Sequence, residues 1–300
     1  MSAILRVANY SDHRISGRDD GNSMYIRRAF GRTPGIESGY LHPHGDLSKF
    51  GTWDLHFEAD WGEDALAGCI PYVPVDIPHP SAFWASDTHL GYDWRLEHSR
   101  KFDTVFCAQR KAVEDFKRDG IQNVHWMPHA VEPLAYPKQA SIKKYDVCFV
   151  GHINSENRIE ALDRLFKAVP NFFYGQRKFN EAAEIYSRSK IVFNISIKDD
   201  LNMRTFEGMA TGSFMLTSWN QEVADTFEDG KHLVLYKDLD DMIEKALYYI
   251  AHDDERESIA AAGCAEVLEK HTFKNRVEQV LKTVGLWDKL KRDEKVLATA

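Results

Sequence analysis

The second half of the chain alternates between two kinds of segment, and this alternation constrains the fold more than any other feature. Short runs of apolar, β-branched or aromatic residues are each followed by a longer stretch in which apolar residues recur every three or four positions. The short runs predict buried strands and the longer stretches predict amphipathic helices. Because this succession is typical of a parallel sheet covered by crossover helices, we expect an α/β fold.

In this half of the chain, strands are predicted at 146–150, 171–174, 190–195, 213–217 and 232–236, and helices at 160–168, 180–187, 203–211 and 239–252. Gly212 stands where a glycine would end the third of these helices. The first half shows the same succession, with strands at 4–9, 104–108 and 124–127, a helix that ends near residue 30 and another at 110–117. A loop is indicated by Pro71, Pro74, Pro78 and Pro80.

Two complete α/β patterns predict two domains, joined where Pro133 and Pro137 bracket a polar connection. We expect an N-terminal domain at 1–138, a C-terminal domain at 139–284, and a last segment at 285–300 that packs back on the first domain. The apolar spacing of residues 275–290 predicts one amphipathic helix, with Trp287 as a packing residue. Two doubly wound domains would face a central cleft with the carboxyl ends of their strands, where ligands bind in such folds.

Composition excludes several classes of protein. With 300 residues, 43% of them hydrophobic, the chain is long enough to form two cores. The chain has no run near the roughly 18 consecutive apolar residues of a membrane helix, and its first apolar stretch is too short for a signal peptide, so we expect a cytoplasmic protein. A formal net charge of −8 argues against non-specific binding to nucleic acid. Reduced core cysteines, rather than zinc ligands or disulfides, are predicted because no CxxC pair occurs among Cys69, Cys107, Cys148 and Cys264.

Residues 198–212 form the segment whose residues most clearly indicate a ligand-binding site. The segment reads KDDLNMRTFEGMATG, follows a predicted strand and begins a predicted helix. Arg204 and Glu207 are three residues apart, so they share one helical face. An arginine beside a helix N-terminus can neutralise a diphosphate, and a carboxylate can accept hydrogen bonds from two ribose hydroxyls. This spacing alone also fits a surface salt bridge, so its context has to decide between the two interpretations.

In that context the segment resembles the CgeB-like, or spore-maturation-protein-like, branch of the group 1 glycosyltransferases. Members of this branch carry a loop of the form N-x-R-x-F-E-x-x-A-x-G followed by a strand. The matching residues here are Asn202, Arg204, Phe206, Glu207, Ala210 and Gly212. The resemblance implies a GT-B fold with two Rossmann-like domains, and a hexosyltransferase that takes a nucleotide sugar, most simply a UDP-sugar such as UDP-glucose. It also implies that no metal ion or other cofactor takes part.

The resemblance implies a set of donor-binding residues in the C-terminal half. They are Gly151, His152, Arg158, Asp199, Asn202, Met203, Arg204 and Glu207. Gly151 would let backbone amides approach a phosphate that Arg158 reaches. In the wider group, two acidic residues eight positions apart frame the loop, which pairs Asp199 with Glu207. That group has Glu at the first position, so Asp199 either contacts the sugar or is an ordinary loop or N-cap aspartate.

In the N-terminal half the resemblance extends over residues 80–135. Asp87 and His89 follow an aromatic strand and are candidates for a charged or proton-accepting group that faces the acceptor, although a structural role fits them too. Further candidates for contact with the acceptor are Gly17, Arg18, Gly21 and His129. The three residues of the first loop also fit a plain surface loop, and His129 also fits a buried histidine.

The family resemblance implies a retaining mechanism in which Arg204 and Arg158 stabilise the departing diphosphate and no protein base is needed. An inverting enzyme would instead need Asp87, His89 or Asp19 as its base. The sequence leaves both outcomes open.

Three alternatives concern the acceptor and the class of protein. Beside a saccharide, a lipid or a protein, the acceptor could be hydroxymethylated bases in DNA, as in viral DNA glycosyltransferases, for which six arginines within residues 1–32 are the support. A GT-B module that binds nucleotide or sugar without turnover also stays open, because of the departure at Asp199. A dinucleotide-dependent oxidoreductase is disfavoured, since no G-x-G-x-x-G follows a strand.

Overall fold

The computed structural model describes residues 5–10, 21–41, 52–60, 77–153, 155–177, 179–196, 198 and 200–298. The chain divides into two compact units, the first made of Met1–Pro128 with Phe273–Ala300 and the second of His129–Thr272. The C-terminal segment belongs to the first unit because Arg276 Nε and Gln279 Nε2 donate hydrogen bonds to the carbonyls of Pro128 and Trp126. The chain therefore passes between the units at other residues than the predicted limits of 138 and 284.

The first unit is built on a parallel sheet. Its strands are β1 (Leu5–Tyr10), β2 (Ile36–Leu41), β3 (Leu55–Ala59), β4 (Ser81–Ala85), β5 (Thr104–Cys107) and β6 (Val124–Trp126), and its first helices are α1 (Asn22–Arg32), α2 (Tyr92–Ser99) and α3 (Arg110–Arg118). Within the described residues, the strand order is β2-β1-β3-β4-β5-β6. One face of this sheet packs an apolar cluster centred on Phe83, Val105 and Phe116.

The second unit repeats the architecture. Its strands are β7 (Tyr145–Val150), β8 (Phe172–Gly175), β9 (Ser189–Asn194), β10 (Phe214–Ser218) and β11 (Val234–Tyr236), and its helices are α4 (Glu156–Ala168), α5 (Phe179–Ser187), α6 (Met203–Ala210), α7 (Gln221–Thr226), α8 (Leu239–Ala251) and α9 (Asp253–Lys270). The sheet is parallel, in the order β11-β10-β9-β7-β8. The five strands and helices α4, α5, α6 and α8 confirm the elements predicted from apolar spacing, with ends within a few residues of the predicted ones, whereas α7 and α9 were not predicted.

The C-terminal segment differs from its prediction. The single helix expected at 275–290 is wrong, because two helices are present, α10 (Phe273–Thr283) and α11 (Trp287–Ala298). Gly285 separates them with a φ of 77°, a conformation that glycine adopts most readily. The amide of Leu286 donates to the carbonyl of Leu281, which closes the end of α10. Trp287 begins α11, and its ring lies beneath the amino groups of Lys282 and Lys291.

The structure also shows where the predicted helix end, the proline loop and the cysteines lie. Gly212 ends α6 as expected, with a φ of 80° and its amide bonded to the carbonyl of Met209. Pro78 and Pro80 lie outside helices and strands, whereas Pro71 and Pro74 fall outside the described residues. Three cysteines are buried, namely Cys107, Cys148 and Cys264, and Cys69 is outside the described part of the chain. Among the described helices, none combines the length and apolar character that crossing a bilayer requires.

Candidate functional site

The strand order of the second unit points to one place on its sheet. From β7 the chain moves outward to β8, and it then returns past β7 to form β9 on the other side. Helices α4 and α6 follow β7 and β9, so both begin at the carboxyl edge of the sheet, where the direction of winding reverses. Ligands of doubly wound folds bind at such a switch point.

Arg204, in the first turn of α6, lies across this switch point. Its Nε donates to the carbonyl of Val150 at 2.6 Å, and its Nη1 donates to Oδ1 of Asn194 at 2.7 Å. Its guanidinium lies 4.5 Å from the centre of the Phe149 ring. A side chain at Gly151 would overlap its Nη2, so glycine is required for this placement. The head group is thereby fixed between the ends of β7 and β9.

Asn194, the last residue of β9, holds Arg204 from the other side. Its side chain is buried, and its Nδ2 donates to the hydroxyls of Thr205 and Thr217 at 3.2 and 3.0 Å. Its Oδ1 is therefore free to accept from Arg204, and it also accepts from Nδ2 of Asn202 at 3.3 Å. The amide of Asn194 is thus oriented by its donors so that its oxygen faces the arginine.

Arg158 supplies a second positive charge at the same edge. It lies in the first turn of α4 and is only 5% exposed. Its Nη1 and Nη2 donate to the carbonyls of His152 and Ile195 at 2.7 and 2.9 Å, and its guanidinium lies 5.3 Å from the centre of the Phe149 ring. Both guanidinium groups therefore contact one aromatic ring, and all of these hydrogen bonds go to neutral oxygens.

The electrostatic setting of Arg158 is unfavourable for a cation. Burial and the nearby charge of Arg204 lower its pKa to about 10, so it stays protonated at neutral pH. A cation in the first turn also opposes the dipole of its helix. An anion bound between the two arginines would relieve this repulsion, because it would be attracted to both guanidinium groups and to the helix N-terminus.

The two helix N-termini leave polar groups available. Neither Ser155, the N-cap of α4, nor Asn202, the N-cap of α6, makes a capping hydrogen bond with its side chain. The Oδ1 atom of Asn202 is buried without a hydrogen-bond partner among the described residues. Amides in the first turn of a helix lack intrahelical partners and can bind a phosphate, while the orphaned oxygen of Asn202 can accept from a ligand hydroxyl.

The other donor-site candidates of the second unit lie close to Arg204 or to Gly151 along the chain. Met203 and Glu207 are half-buried on α6, and His152 is exposed just after β7. Tyr186 lies in the buried layer beside Arg204, and burial together with the charge of Glu207 raises the pKa of its hydroxyl, so the tyrosine stays neutral. Asp199 falls outside the described residues.

The candidates for contact with the acceptor are distributed over both units. Asp87 and His89 lie just after β4, at the carboxyl edge of that sheet, where Asp87 is half-buried and His89 is exposed. Gly21 precedes α1 with a φ of 102°, and Gly17 and Arg18 fall outside the described part of the chain. His129 belongs to the second unit and is 4% exposed, which agrees with the buried alternative considered from the sequence.

A buried polar network fixes the loop that carries Asp87. Asp60 accepts hydrogen bonds from the amide and hydroxyl of Ser86, both at 2.8 Å, and pairs with Nε of Arg95 at 2.7 Å. Gln109 accepts from the hydroxyl of Thr88 at 2.7 Å and donates to the carbonyl of Ser86 at 2.9 Å. The loop is therefore held on both sides of Asp87.

Sequence reasoning missed Asn194, Phe149 and the Asp60–Arg95 pair as parts of these sites. A polar residue at the end of an apolar strand was the available signal for Asn194, because such a residue lies at the carboxyl edge. Phe149 carried no signal, since an aromatic residue in a buried strand ordinarily belongs to the core. The partner of Asp60 lies far along the chain, so only the fold reveals the pair.

Comparison with known proteins shows which proteins the chain is similar to. Residues 145–282 match the model of the family described as glycosyl transferase-like. Spore protein CgeB of Bacillus subtilis (strain 168) is 23% identical over 233 residues, which is 65% of this chain and 72% of CgeB.

Solved structures agree on the fold. HepE of Anabaena, in complex with UDP and glucose, has a TM-score of 0.62 at 11% identity, covering 93% of this chain and 100% of HepE. Sucrose-phosphate synthase of Thermosynechococcus elongatus has a TM-score of 0.59 at 13% identity, covering 99% of this chain and 100% of the synthase.

A third structure, TarM of S. aureus in complex with fondaparinux, α-GlcNAc-glycerol and UDP, has a TM-score of 0.55 at 12% identity. It covers 76% of this chain but 55% of TarM, so the chain spans about half the length of that protein. At these identities the structures establish the fold, and the sequence matches establish the relationship. The comparisons therefore confirm the resemblance found in the sequence to the CgeB-like branch of the group 1 glycosyltransferases, and the fold is GT-B.

Proposed function

We propose that this chain transfers a sugar from a nucleoside-diphosphate donor to an acceptor hydroxyl, and that the diphosphate binds at the switch point of the second unit. The observation that carries the proposal is the pair Arg158 and Arg204, whose guanidinium groups lie over the one ring of Phe149. Their neutral hydrogen-bond partners leave both charges available to an anion. A diphosphate carries the charge that this arrangement stabilises.

The same groups support the chemistry. As the bond between sugar and diphosphate breaks, negative charge develops on the leaving group, and cations already fixed in place stabilise it without reorganisation. Arg158, Arg204 and the first turns of α4 and α6 provide this charge, so the proposed reaction needs no divalent metal. Because Arg204 is held at three points, we assign it the principal role.

Further parts of the proposal concern the nucleotide, the sugar, the anomeric configuration of the product and the acceptor. The structures of TarM and HepE hold UDP, which favours a UDP-sugar, and the glucose in HepE favours a hexose. Glu207 is proposed to bind the ribose hydroxyls, and transfer is proposed to retain the anomeric configuration. Asp87 and His89 stay the candidates for contact with a saccharide, lipid or protein acceptor.

The direct test is a panel of UDP-, GDP-, ADP-, CDP- and dTDP-sugars, screened by thermal shift and by donor hydrolysis with EDTA present. A ligand at 100 times its dissociation constant adds roughly 2.7 kcal/mol to stability, which a melting curve detects readily. We expect one nucleotide to stabilise the wild type, and Arg204→Ala and Glu207→Ala to lose this stabilisation.

Arg188→Ala is the matched control, because Arg188 is an arginine of the same unit whose side chain is 46% exposed in a surface ion pair with Glu184. It should respond to nucleotide like the wild type. A wild type that responds to none of the nucleotides, or an Arg204→Ala variant that responds undiminished, would refute the proposed site.

A further inference from the structure

Trp219 is a large aromatic residue held at the carboxyl edge of the second sheet, yet it is 52% exposed. It follows β10 directly, and its amide donates to the carbonyl of Tyr236 at 2.8 Å, which continues the pairing of β10 with β11. The next residue, Asn220, is buried and caps α7 by accepting from the amide of Val223 at 2.9 Å. The backbone at Trp219 is thus fixed on both sides while much of its indole faces solvent.

The strand that leads to Trp219 indicates the face on which the indole lies. Phe214 and Leu216 belong to the apolar cluster on one side of the sheet. Thr217 lies on the other side, where its hydroxyl accepts from Nδ2 of Asn194. Side chains alternate along an extended strand, so Trp219 belongs on the face of Thr217 and Asn194. Helix α6 packs on this face, and from it Arg204 reaches Asn194, whereas α4 and Phe149 lie in the apolar cluster on the opposite face.

The distance from the arginine site suits a sugar. Neighbouring strands lie about 4.8 Å apart, so the end of β10 is one strand from β9 and about 10 Å from β7. A diphosphate held by Arg158 and Arg204 at the ends of β7 and β9 would carry its sugar one bond further on. A pyranose ring directed toward β10 would then meet Trp219.

We propose that Trp219 is the surface on which the pyranose ring of the donor packs, and that it contributes to the choice of sugar. This inference rests on the proposed function, because it requires a nucleotide sugar at the switch point. The C–H face of a pyranose is apolar and slightly positive, whereas the face of an indole is apolar and negative, so the two surfaces attract. Stacking would also remove an exposed aromatic surface from water.

The test compares dissociation constants for UDP and UDP-glucose, measured by calorimetry on the wild type, Trp219→Ala and Trp219→Phe. The ratio of the two constants isolates the contribution of the sugar. We expect Trp219→Ala to leave UDP binding unchanged and to weaken UDP-glucose binding about five- to tenfold, the size typical of an aromatic contact. Trp219→Phe should restore most of the loss.

Phe166→Ala is the control, because Phe166 is 54% exposed and its ring packs against Tyr174 of β8, which is separated from β10 by β9 and β7. It should leave both constants unchanged. Equal weakening of UDP and UDP-glucose by Trp219→Ala would overturn the inference in favour of stacking on the nucleobase, and a variant that leaves both constants unchanged would overturn it outright. If the wild type binds neither compound, the proposed function itself fails, and that result differs from each of the others.

Discussion

At the scale of single residues, the proposed site is formed by two arginines that occupy positions where a cation is unfavourable. Arg158 lies at a helix N-terminus, where a cation opposes the helix dipole, and burial together with repulsion by Arg204 lowers its pKa. Among the described residues, the hydrogen bonds of Arg158 satisfy two carbonyls that a water molecule or an amide side chain can also satisfy, and the charge of Asp200 offsets part of the repulsion. A bound anion would explain why two arginines lie so close together here, because it would be attracted to both guanidinium groups.

A substitution at Gly151 tests whether the position of Arg204 matters, because it displaces the arginine without removing it. The Cβ atom of Gly151→Ala would overlap Nη2 of Arg204, so the guanidinium must move. We predict that this variant weakens UDP binding at least tenfold, the loss expected when a charge-assisted contact is displaced. Calorimetry with UDP measures it.

Two controls separate displacement of Arg204 from a general disturbance. Gly175→Ala changes a glycine at the end of the adjacent β8, where the new methyl group would lie 3.7 Å from its nearest neighbours, and UDP binding should be unchanged. In an Arg204→Ala background, Gly151→Ala should have no further effect on UDP affinity, because the group that it displaces is gone. Additive losses would contradict the account.

Part of this site could be predicted from the sequence. The family resemblance singled out Arg204, Asn202 and Arg158, which the structure brings to the switch point, and Glu207, whose role stays a prediction. The role of Asn194 depends on Thr205 and Thr217 orienting its amide, and these contacts join three separate elements. Such contacts have no signal in local sequence.

At the scale of elements, apolar spacing predicted the strands correctly where they are buried on both faces. The strands of the second unit are continuous apolar runs, which makes them easy to recognise. In the first unit β2, β3 and α2 were not predicted, and in β3 the polar residues His56 and Glu58 interrupt the apolar run. Both are buried, and Glu58 pairs with His98 of α2 at 3.0 Å while His56 bonds with Tyr10 at 2.6 Å. Because their hydrogen-bond partners come from other elements, the local sequence does not show that these two polar residues are buried.

Helix α9 offers a prediction about packing in the second unit. Gly263 lies where α9 passes so close to the backbone that an added Cβ would overlap the carbonyl of His232 and come within 2.9 Å of Met209 on α6. Gly→Ala within an exposed helix usually gains about 1 kcal/mol of stability. Here we predict the opposite sign, a loss of about 1–3 kcal/mol, because the methyl group has no space.

Urea unfolding of Gly263→Ala measures this loss. Ala261→Gly is the paired control, since Ala261 is exposed on the same helix and should lose only the propensity difference of about 1 kcal/mol. A Gly263→Ala variant more stable than the wild type would show that α9 does not pack against this backbone as described.

At the scale of the whole molecule, each unit has its own parallel sheet, and the chain returns to the first unit through α10 and α11. The two-domain organisation was predictable because each half repeats strands and helices, and the break at Gly285 was not, since the apolar spacing continues through it. The family match lies within residues 145–282, so sequence similarity identifies mainly the second unit. The GT-B assignment of the full chain rests on the structural comparisons.

The central claim is that a nucleoside diphosphate binds at the N-termini of α4 and α6. Hydrogen–deuterium exchange with and without UDP, in EDTA, tests it most directly, because first-turn amides lack intrahelical partners and exchange quickly unless a ligand bonds to them. The account predicts slower exchange in peptides covering 156–158 and 203–204 of the wild type, and no such change in Arg204→Ala. Binding of UDP that leaves both helix starts unprotected, or that protects only the first unit, would contradict the account.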